Sequence, residues 1–349
     1  MIFVISLIFT VVFILTLRPH AGRFGLLDYP GDHKVHSEPT PMIGGPAIFV
    51  GVTVALFLAA PSDVALKLFM DMSPLLLLGL VDDIWKLRPM SRLIIQVAVV
   101  TQMMIVHNTA FVQLGFLVGS SQLLQLNQLS IPFTIFALVG LINAINLSDG
   151  LDGLAGGLSA IALAFFGAIA WAMGFPNVLA LCLAALGAAL GFLIFNIRHP
   201  WQQKARVFMG DSGSLLLGLI LGILAFKLTH RPMGQANMPP VLALWILAIP
   251  LIDTVTVLLR RIAAGRNPLR ADQQHLHHII LRAGFSHAKT VWIILAAATG
   301  LAGLAVLAWQ LGVSDAKLML AFMFLAIAYF TFSSFFYKRL QPAQDIVAR

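Results

Sequence analysis

Long apolar runs, separated by short polar segments, dominate this chain. A run of about 20 apolar residues is long enough to cross the hydrocarbon core of a bilayer as an α-helix. The pattern predicts eleven such helices, over residues 1–17, 42–60, 66–81, 92–107, 130–146, 157–174, 178–195, 212–229, 240–258, 290–310 and 316–336. The run 66–81 is the weakest, because Lys67 and Asp71 shorten its apolar part. We therefore expect an all-α, polytopic membrane protein with about eleven transmembrane helices.

Composition supports this architecture. The chain has 349 residues, of which 59% are hydrophobic and only 10% charged, too few ionic groups to cover a soluble globule of this size. The net charge of +8 comes from basic residues in short segments between the apolar runs. Membrane topology, anionic lipid and phosphorylated substrates explain that distribution, and nucleic acid is not expected as a partner. We expect one integral-membrane domain, 1–349, with a substrate-binding loop at 259–289.

The basic residues also predict the orientation, because they are retained on the cytoplasmic side in short loops. In the eleven-helix arrangement, eighteen of the 22 lysines and arginines fall on one face, and only Lys67, Lys227, Arg231 and Lys317 fall on the other. We therefore expect the N-terminus on the outer, periplasmic side of the membrane and the C-terminus in the cytoplasm. No internal repeat is visible, which weakens the alternative of a transporter built from inverted halves.

Seven aspartates from separate stretches fall at or near the predicted cytoplasmic helix ends: Asp82, Asp83, Asp149, Asp152, Asp211, Asp253 and Asp272. Carboxylates beside hydrocarbon are costly and are usually functional. Their convergence predicts a site at that face, whereas a transporter or proton channel would place such groups near the bilayer midplane.

The adjacent pair Asp82 and Asp83 ends an apolar run and precedes Lys86 and Arg88. Two neighbouring carboxylates do not both ionise cheaply without a counter-charge, so they share a cation, shift one pKa or depend on those basic neighbours. The roles of general base, nucleophile and metal holder all stay open for them.

The motif NAINLSDGLDGL, residues 143–154, is more informative. On a continued helix, Asn143, Asn146 and Asp149 share one broad face, while the glycines allow a sharp turn that presents Asp152. Amide and carboxylate oxygens suit a hard cation such as Mg²⁺, which completes its shell with water and phosphate.

The stretch RVFMGDSGS, residues 206–214, places Asp211 at the start of a helix whose amides Ser212 and Ser214 are expected to cap. A helix N-terminus favours anions, so a metal held there would bring a diphosphate with it.

The loop 259–289 contains two arginines followed by ADQQHLHH. Its histidines, His275, His277 and His278, are expected to bind a diphosphate and a sugar together with the arginines, whereas zinc normally requires cysteine or carboxylate ligands at other spacings. Asp253 lies two turns before Arg260, where an ion pair, an interhelical hydrogen bond and catalysis all stay open.

The motifs PMIGG, LVDD, NAINLSDGLDGL, VFMGDSGS and HLHH, in this order, resemble the polyprenyl-phosphate N-acetylhexosamine-1-phosphate transferases over nearly the whole chain. HLHH and PLID are similar to the undecaprenyl-phosphate N-acetylglucosaminyl-1-phosphate transferase group. Leu276 departs from the three consecutive histidines of the murein-precursor enzymes and argues against a muramoyl-pentapeptide substrate.

The resemblance implies roles for individual residues. Asp82 and Asp83 act on the lipid phosphate, where Lys34 and His36 are also expected. Asp211, Asn146 and Asp149 hold Mg²⁺, for which Mn²⁺ is a substitute. The nucleotide sugar is positioned by Asp152, Arg261, His275, His277 and His278.

The resemblance also implies the reaction. GlcNAc-1-phosphate passes from UDP-GlcNAc to undecaprenyl phosphate, giving undecaprenyl-diphospho-GlcNAc and UMP, as the first membrane step of a polysaccharide such as O-antigen or enterobacterial common antigen. Another UDP-N-acetylhexosamine, and a two-step route through a phosphorylated aspartate, are the alternatives within this chemistry. A homodimer is compatible with it.

Overall fold

The computed structural model describes residues 1–29, 38–107, 109–117, 122–230, 237–267 and 274–340, and these ranges are mostly helical. The α-helices are α1 (Ile2–Leu17), α2 (Gly44–Ala59), α3 (Ser62–Trp85), α4 (Pro89–His107), α5 (Ser130–Leu147), α6 (Leu154–Ala172), α7 (Pro176–Asn196), α8 (Gly210–Thr229), α9 (Pro240–Ile246), α10 (Ala248–Ala263), α11 (Leu276–Arg282), α12 (His287–Gln310) and α13 (Asp315–Arg339). Two 3-10 helices, Arg18–Phe24 and Asn127–Leu129, and a short antiparallel pair, β1 (Leu27–Asp28) with β2 (Thr40–Pro41), complete the described elements.

Most of these helices are long and apolar enough to cross a membrane. Within the described ranges nine meet that condition, and α9 with α10, which meet at a bend of 83°, make a tenth span if they count as one. Helix α2 is apolar but only 16 residues long. Each segment predicted from hydropathy therefore contains a helix, and the chain is a polytopic, mostly helical membrane protein. Because α2 is short and the ninth segment is broken after Ile246, the described ranges give nine spans, or ten with α9 and α10 counted together, and the count of eleven stays a prediction.

Helix α8 lies at the centre of the bundle. Most of its residues are buried, and it packs against α2, α3, α5, α6 and α7. Gly79 of α3 lies so close to Ser212 that a Cβ atom at position 79 would overlap the Ser212 backbone. This close approach, which only glycine permits, brings the end of α3 against the start of α8.

The segment before α2 pairs with the segment before α8. The Phe208 N–H donates to the Pro41 carbonyl at 2.8 Å, and the Gly44 N–H donates to the Phe208 carbonyl at 3.0 Å. The Gly45 N–H donates to the Met209 carbonyl at 3.0 Å. The PMIGG and VFMGD motifs, far apart in the chain, are thus one paired unit that fixes the entry of α8.

Helix α13 lies at the outside of the bundle. Its large apolar side chains Leu320, Phe324, Ile327 and Phe332 are exposed. Contiguous apolar surface of this kind is stable against lipid hydrocarbon, which agrees with a membrane location.

Candidate active site

Asp83, near the end of α3, caps the start of α8. Its Oδ1 accepts the Asp211 N–H at 2.7 Å, and its Oδ2 accepts the Ser212 N–H at 3.2 Å and the Ser212 hydroxyl at 2.8 Å. The first amides of a helix have no partner within it, and a carboxylate is a strong acceptor for them. The cap expected from Ser212 and Ser214 is therefore supplied by Asp83, from another helix. Gly210 has φ +71°, and a Cβ atom there would lie 2.6 Å from the Asp83 carboxylate.

Asp82 and Asp211 meet at one arginine. The Arg92 Nη1 atom, on α4, lies 2.7 Å from Asp82 Oδ2 and 3.5 Å from Asp211 Oδ1. Asp82 Oδ1 also accepts the Leu87 N–H at 2.8 Å. Two carboxylates from different helices are therefore held beside a single cation, which lowers their mutual repulsion.

Asn146, on the last turn of α5, reaches the same place. Its Nδ2 atom donates to Asp211 Oδ1 at 2.6 Å and to the Ser214 hydroxyl oxygen at 2.8 Å. The structure thus brings together the two residues predicted to share a metal, although they are 65 positions apart. Asn143 turns instead to the buried Gln96 side chain on α4, to whose Oε1 it donates at 2.6 Å.

The turn after α5 carries Asp149 and Asp152. Burial raises the pKa of the Asp149 carboxyl well above its usual range, and the surrounding carboxylates, Asp211 first among them, raise it further. Asp152 Oδ2 accepts a hydrogen bond from Arg198 Nε at 2.5 Å. Gly153 has φ +87°, which favours glycine and closes the turn that carries both acids.

Asn196, buried at the end of α7, holds this turn in place. Its Oδ1 atom accepts the Gly153 N–H at 2.7 Å, while its Nδ2 atom donates to the Val207 carbonyl at 2.9 Å. One side chain therefore joins the acidic turn to the segment that leads into α8.

The predicted histidines lie around α11. His275 is its N-cap residue, and His275 and His277 are both buried. Their rings stack at an interplanar angle of 6° with centroids 5.9 Å apart, and the ring centroid of His278 lies 4.1 Å from that of His277. Burial, with the neighbouring rings of His278 and His275, lowers the pKa of His277 to about 3. His277 is therefore neutral at physiological pH.

The histidines lie against the acidic turn. A Cβ atom at Gly150 would overlap His277 Nε2. The HLHH motif and the NLSDGLDGL motif, predicted separately to serve one reaction, are thus in direct contact. Arg261, in the last turn of α10, is 5% exposed.

Three residues singled out in the sequence lie outside the described residues. They are Lys34 and His36, assigned to the lipid phosphate, and Asp272.

The donor set around Asp211 fits a hard divalent cation. Mg²⁺ is commonly bound through one or two carboxylates, with water and substrate phosphate completing its shell. Asp82 and Asp211 supply two carboxylates that already face one positive charge, and Asn146 lies beside them. Across the described residues no group of three His, Cys, Asp or Glu side chains forms a closed metal site. An ion that takes its remaining ligands from substrate does not require such a group.

The sequence analysis did not identify four residues that contact the predicted site residues. Arg92 and Arg198 were counted only among the basic residues that predict the membrane orientation. Asn196 and Tyr329 were not singled out. Each makes a contact with a different structural element. The pairs are Arg92 with Asp82, Arg198 with Asp152, Asn196 with Gly153 and Tyr329 with Asp253. The only signal in the sequence was their position: Arg92, Asn196 and Arg198 stand at the predicted cytoplasmic ends of apolar runs.

Comparison with known proteins places this site in a family. Residues 65–229 match the family model described as glycosyl transferase family 4. Three bacterial relatives carry the name undecaprenyl-phosphate alpha-N-acetylglucosaminyl 1-phosphate transferase. The protein of Haemophilus influenzae is 38% identical over 80% of this chain and 79% of its own length. That of Salmonella typhi is 33% identical over 86% and 81%, and that of Yersinia pestis 31% identical over 91% and 87%. The similarity to these relatives thus extends to most of the chain, which belongs to glycosyl transferase family 4 together with them.

Proposed function

We propose that this protein transfers GlcNAc-1-phosphate from UDP-GlcNAc to undecaprenyl phosphate. The observation that carries the proposal is the meeting of Asp82 and Asp211 at Arg92, beside the Asp149–Asp152 turn. Such a site suits the transfer of a phosphoryl group between two anionic substrates, because it combines carboxylates for a cation with a fixed positive charge. The names of the relatives supply the substrates.

The reaction forms one P–O bond and breaks another. An oxygen of the lipid phosphate attacks the phosphorus that carries the sugar, and the bond from that phosphorus to the bridging oxygen breaks. The bridging oxygen leaves with its electron pair as part of UMP. The product is undecaprenyl-diphospho-GlcNAc.

Asp211, Asn146 and Asp149 are the proposed holders of Mg²⁺, with Mn²⁺ as a substitute. The bound ion supplies charge neutralisation to the diphosphate and to the departing UMP. Arg92 adds a guanidinium that is already held at the junction of α3, α4 and α8. It is suited to a phosphate oxygen by charge-assisted hydrogen bonds.

Asp82 faces this junction and is the proposed contact of the lipid phosphate. A phosphate monoester has a second pKa of about 6, so the acceptor is largely dianionic at neutral pH and needs little help from a base. Asp82 therefore serves mainly to hold the Arg92 guanidinium, at 2.7 Å, where that cation orients the acceptor.

A single displacement is favoured over a phosphorylated aspartate. Both oxygens of Asp83 accept hydrogen bonds from the start of α8, so attack by Asp83 would remove the cap of that helix. Exchange of labelled UMP into UDP-GlcNAc without lipid acceptor tests this choice. Exchange at the rate of turnover would establish the two-step route.

The nucleotide sugar is assigned to the surface formed by Asp152, Arg261 and the HLHH histidines. His277 contacts the acidic turn at Gly150, and Asp152 of that turn is held by Arg198, so the histidines and the turn form one wall of the site. We place the wall on the cytoplasmic face of a bacterial inner membrane, with the N-terminus outside, because the basic residues favour that orientation. The product would begin a cell-surface polysaccharide.

The test is direct. Purified protein receives Mg²⁺, undecaprenyl phosphate and a panel of radiolabelled UDP-sugars, and lipid-linked product and UMP are quantified. We expect product with UDP-GlcNAc, loss of product on chelation, and loss in Asp211→Asn. Asp315→Asn, at the opposite end of the bundle, is the matched control and should stay active. Product from another UDP-N-acetylhexosamine alone would correct the sugar, and no lipid-linked product from any would refute the proposal.

A further inference from the structure

Asp253, on α10, lies beneath the HLHH motif and accepts hydrogen bonds from two separate elements. Its Oδ2 atom is 2.8 Å from His275 Nδ1, and its Oδ1 atom accepts the Leu276 N–H at 3.0 Å. The hydroxyl of Tyr329, on α13, donates to the same Oδ1 atom at 2.6 Å. Both the carboxylate and the histidine ring are buried. A bond of this kind leaves the ring little freedom to rotate.

The three contacts define which nitrogen of the His275 ring carries the proton and which one faces away from Asp253. The Leu276 amide and the Tyr329 hydroxyl act as donors to Asp253, which is therefore the acceptor throughout. The His275 Nδ1 atom must then carry its proton towards Asp253, and this fixes which ring nitrogen faces the other way. Within the described residues that other nitrogen, Nε2, is buried and has no hydrogen-bond partner. A buried polar atom without a partner is costly unless a ligand supplies one.

His275 is connected to the acidic turn through His277. The His275 and His277 rings are nearly parallel, and His277 fits against Gly150, next to Asp149. The Nε2 atom of His277 is likewise buried without a partner among the described residues. A rotation of His275 would therefore disturb the parallel ring of His277, whose Nε2 atom faces Gly150.

We infer that Asp253 and Tyr329 are positioning residues for the donor substrate: they hold His275 so that its Nε2 atom meets the nucleotide sugar. Helix α13, which is remote from the carboxylates at α3 and α8, thereby becomes part of the donor site. The inference rests on the proposed function, because it takes the HLHH motif as the place where UDP-GlcNAc binds.

A purely structural role is the rival explanation. In that case Asp253 and Tyr329 merely tie α10 to α13, and their loss lowers stability and affects both substrates equally. A positioning role instead affects one substrate and depends on His275. These two outcomes separate cleanly in kinetics.

The experiment compares Tyr329→Phe, Asp253→Asn and His275→Ala in purified full-length protein. Tyr337→Phe is the matched control, since it removes a hydroxyl from the same helix and keeps the ring that faces Arg260 and Arg282. KM and kcat are measured for each substrate separately, with thermal unfolding as a check of the fold. Asp253→Glu, which restores a carboxylate, tests rescue.

We expect KM for UDP-GlcNAc to rise about tenfold in Asp253→Asn and somewhat less in Tyr329→Phe, because outer partners of a ligand-binding histidine typically contribute about 10- to 100-fold. KM for undecaprenyl phosphate should not change. In a His275→Ala background, Tyr329→Phe should cause no further loss, because its effect passes through His275. Asp253→Glu should recover part of the affinity.

Unchanged KM values in both variants, equal effects on both substrates, or an undiminished effect in the His275→Ala background would each overturn the inference. The kinetic constants of the variants are compared with those of a wild-type protein that has been shown to be active. A wild type that makes no lipid-linked product refutes the proposed function instead, so the two failures are distinguishable.

Discussion

Asp83 and Ser212 are joined twice across 129 positions of sequence, by the amide and by the hydroxyl of Ser212. The bond ties the end of one apolar helix to the start of another at the point where Asp82 and Asp211 face each other. The second aspartate of LVDD therefore holds the start of α8 in place, whereas the first accepts hydrogen bonds from the Leu87 amide and the Arg92 guanidinium.

Replacement of Asp83 tests this division. Asp83→Ala leaves two amides and a hydroxyl at the start of α8 without their acceptor. Since each hydrogen bond to a charged group contributes about 1.5 to 3 kcal/mol, we expect a destabilisation of at least about 4 kcal/mol. Thermal unfolding in detergent measures the change. Asp63→Ala, at the exposed opposite end of α3, is the control and should have little effect. An Asp83→Ala protein with unaltered stability and no activity would assign Asp83 to the chemistry.

Replacement of Arg92 tests the cation site. In the wild type, the guanidinium beside Asp82 and Asp211 opposes the approach of a second cation. Arg92→Gln should therefore be stabilised by Mg²⁺ at concentrations about fivefold lower than the wild type, a coupling of about 1 kcal/mol. Its transferase activity should fall, since a phosphate contact is lost. Arg88→Gln is the matched control. An equal Mg²⁺ requirement in the two variants would contradict a cation site beside Arg92.

A methyl group at position 150 tests the contact between the two motifs. Gly150→Ala places a Cβ atom against His277 and should displace HLHH from the acidic turn. We expect about a 100-fold loss of kcat/KM for UDP-GlcNAc, as small displacements in an active site often cause. Gly140→Ala on the preceding helix is the control, because its Cβ meets nothing within 4 Å. Equal activity of the two variants would show that the contact is dispensable.

His277 predicts a pH dependence of stability. Its pKa is about 3 in the folded protein and about 6.5 when unfolded, so between these values the unfolded state binds the extra proton. Stability is unaffected by this group above pH 6.5 and falls as the pH decreases towards 3, by about 2 kcal/mol at pH 5. His277→Gln should reduce the difference in unfolding temperature between pH 7.5 and pH 5. His20→Gln, at an exposed position, should not reduce it. An identical acid response in wild type and His277→Gln would contradict a neutral buried ring.

Labelling of introduced cysteines tests the orientation. The native Cys182 is buried and is replaced by serine to give a silent background. A cysteine at Gln203, between α7 and α8, should react with an impermeant maleimide only after the cells are opened. A cysteine at Ser314, between α12 and α13, should react in intact cells. The reverse pattern would invert the proposed topology.

Hydropathy located the long apolar helices of the described ranges, because a helix that lies in hydrocarbon satisfies its own backbone hydrogen bonds and presents apolar side chains. It did not locate the short helix α11. Hydropathy also placed the acids at one end, and the structure joins Asn146 to Asp211 as the sequence led us to expect. The contacts of Arg92, Asn196 and Tyr329 could not be predicted from the sequence, because they depend on how the helices pack against one another. The break after Ile246 was equally hidden, since the apolar run continues through it.

The place of Tyr329 has a consequence for how the protein is made. A ribosome completes α3, α5 and α8 long before it reaches α13, so the carboxylates of the reaction centre can assemble in the membrane while His275 still lacks its full support. Synthesis of α13 then completes the donor site. A chain truncated before α13 would lack the Tyr329 hydroxyl at Asp253, and we expect unfinished copies to bind their nucleotide sugar more weakly than the full-length protein.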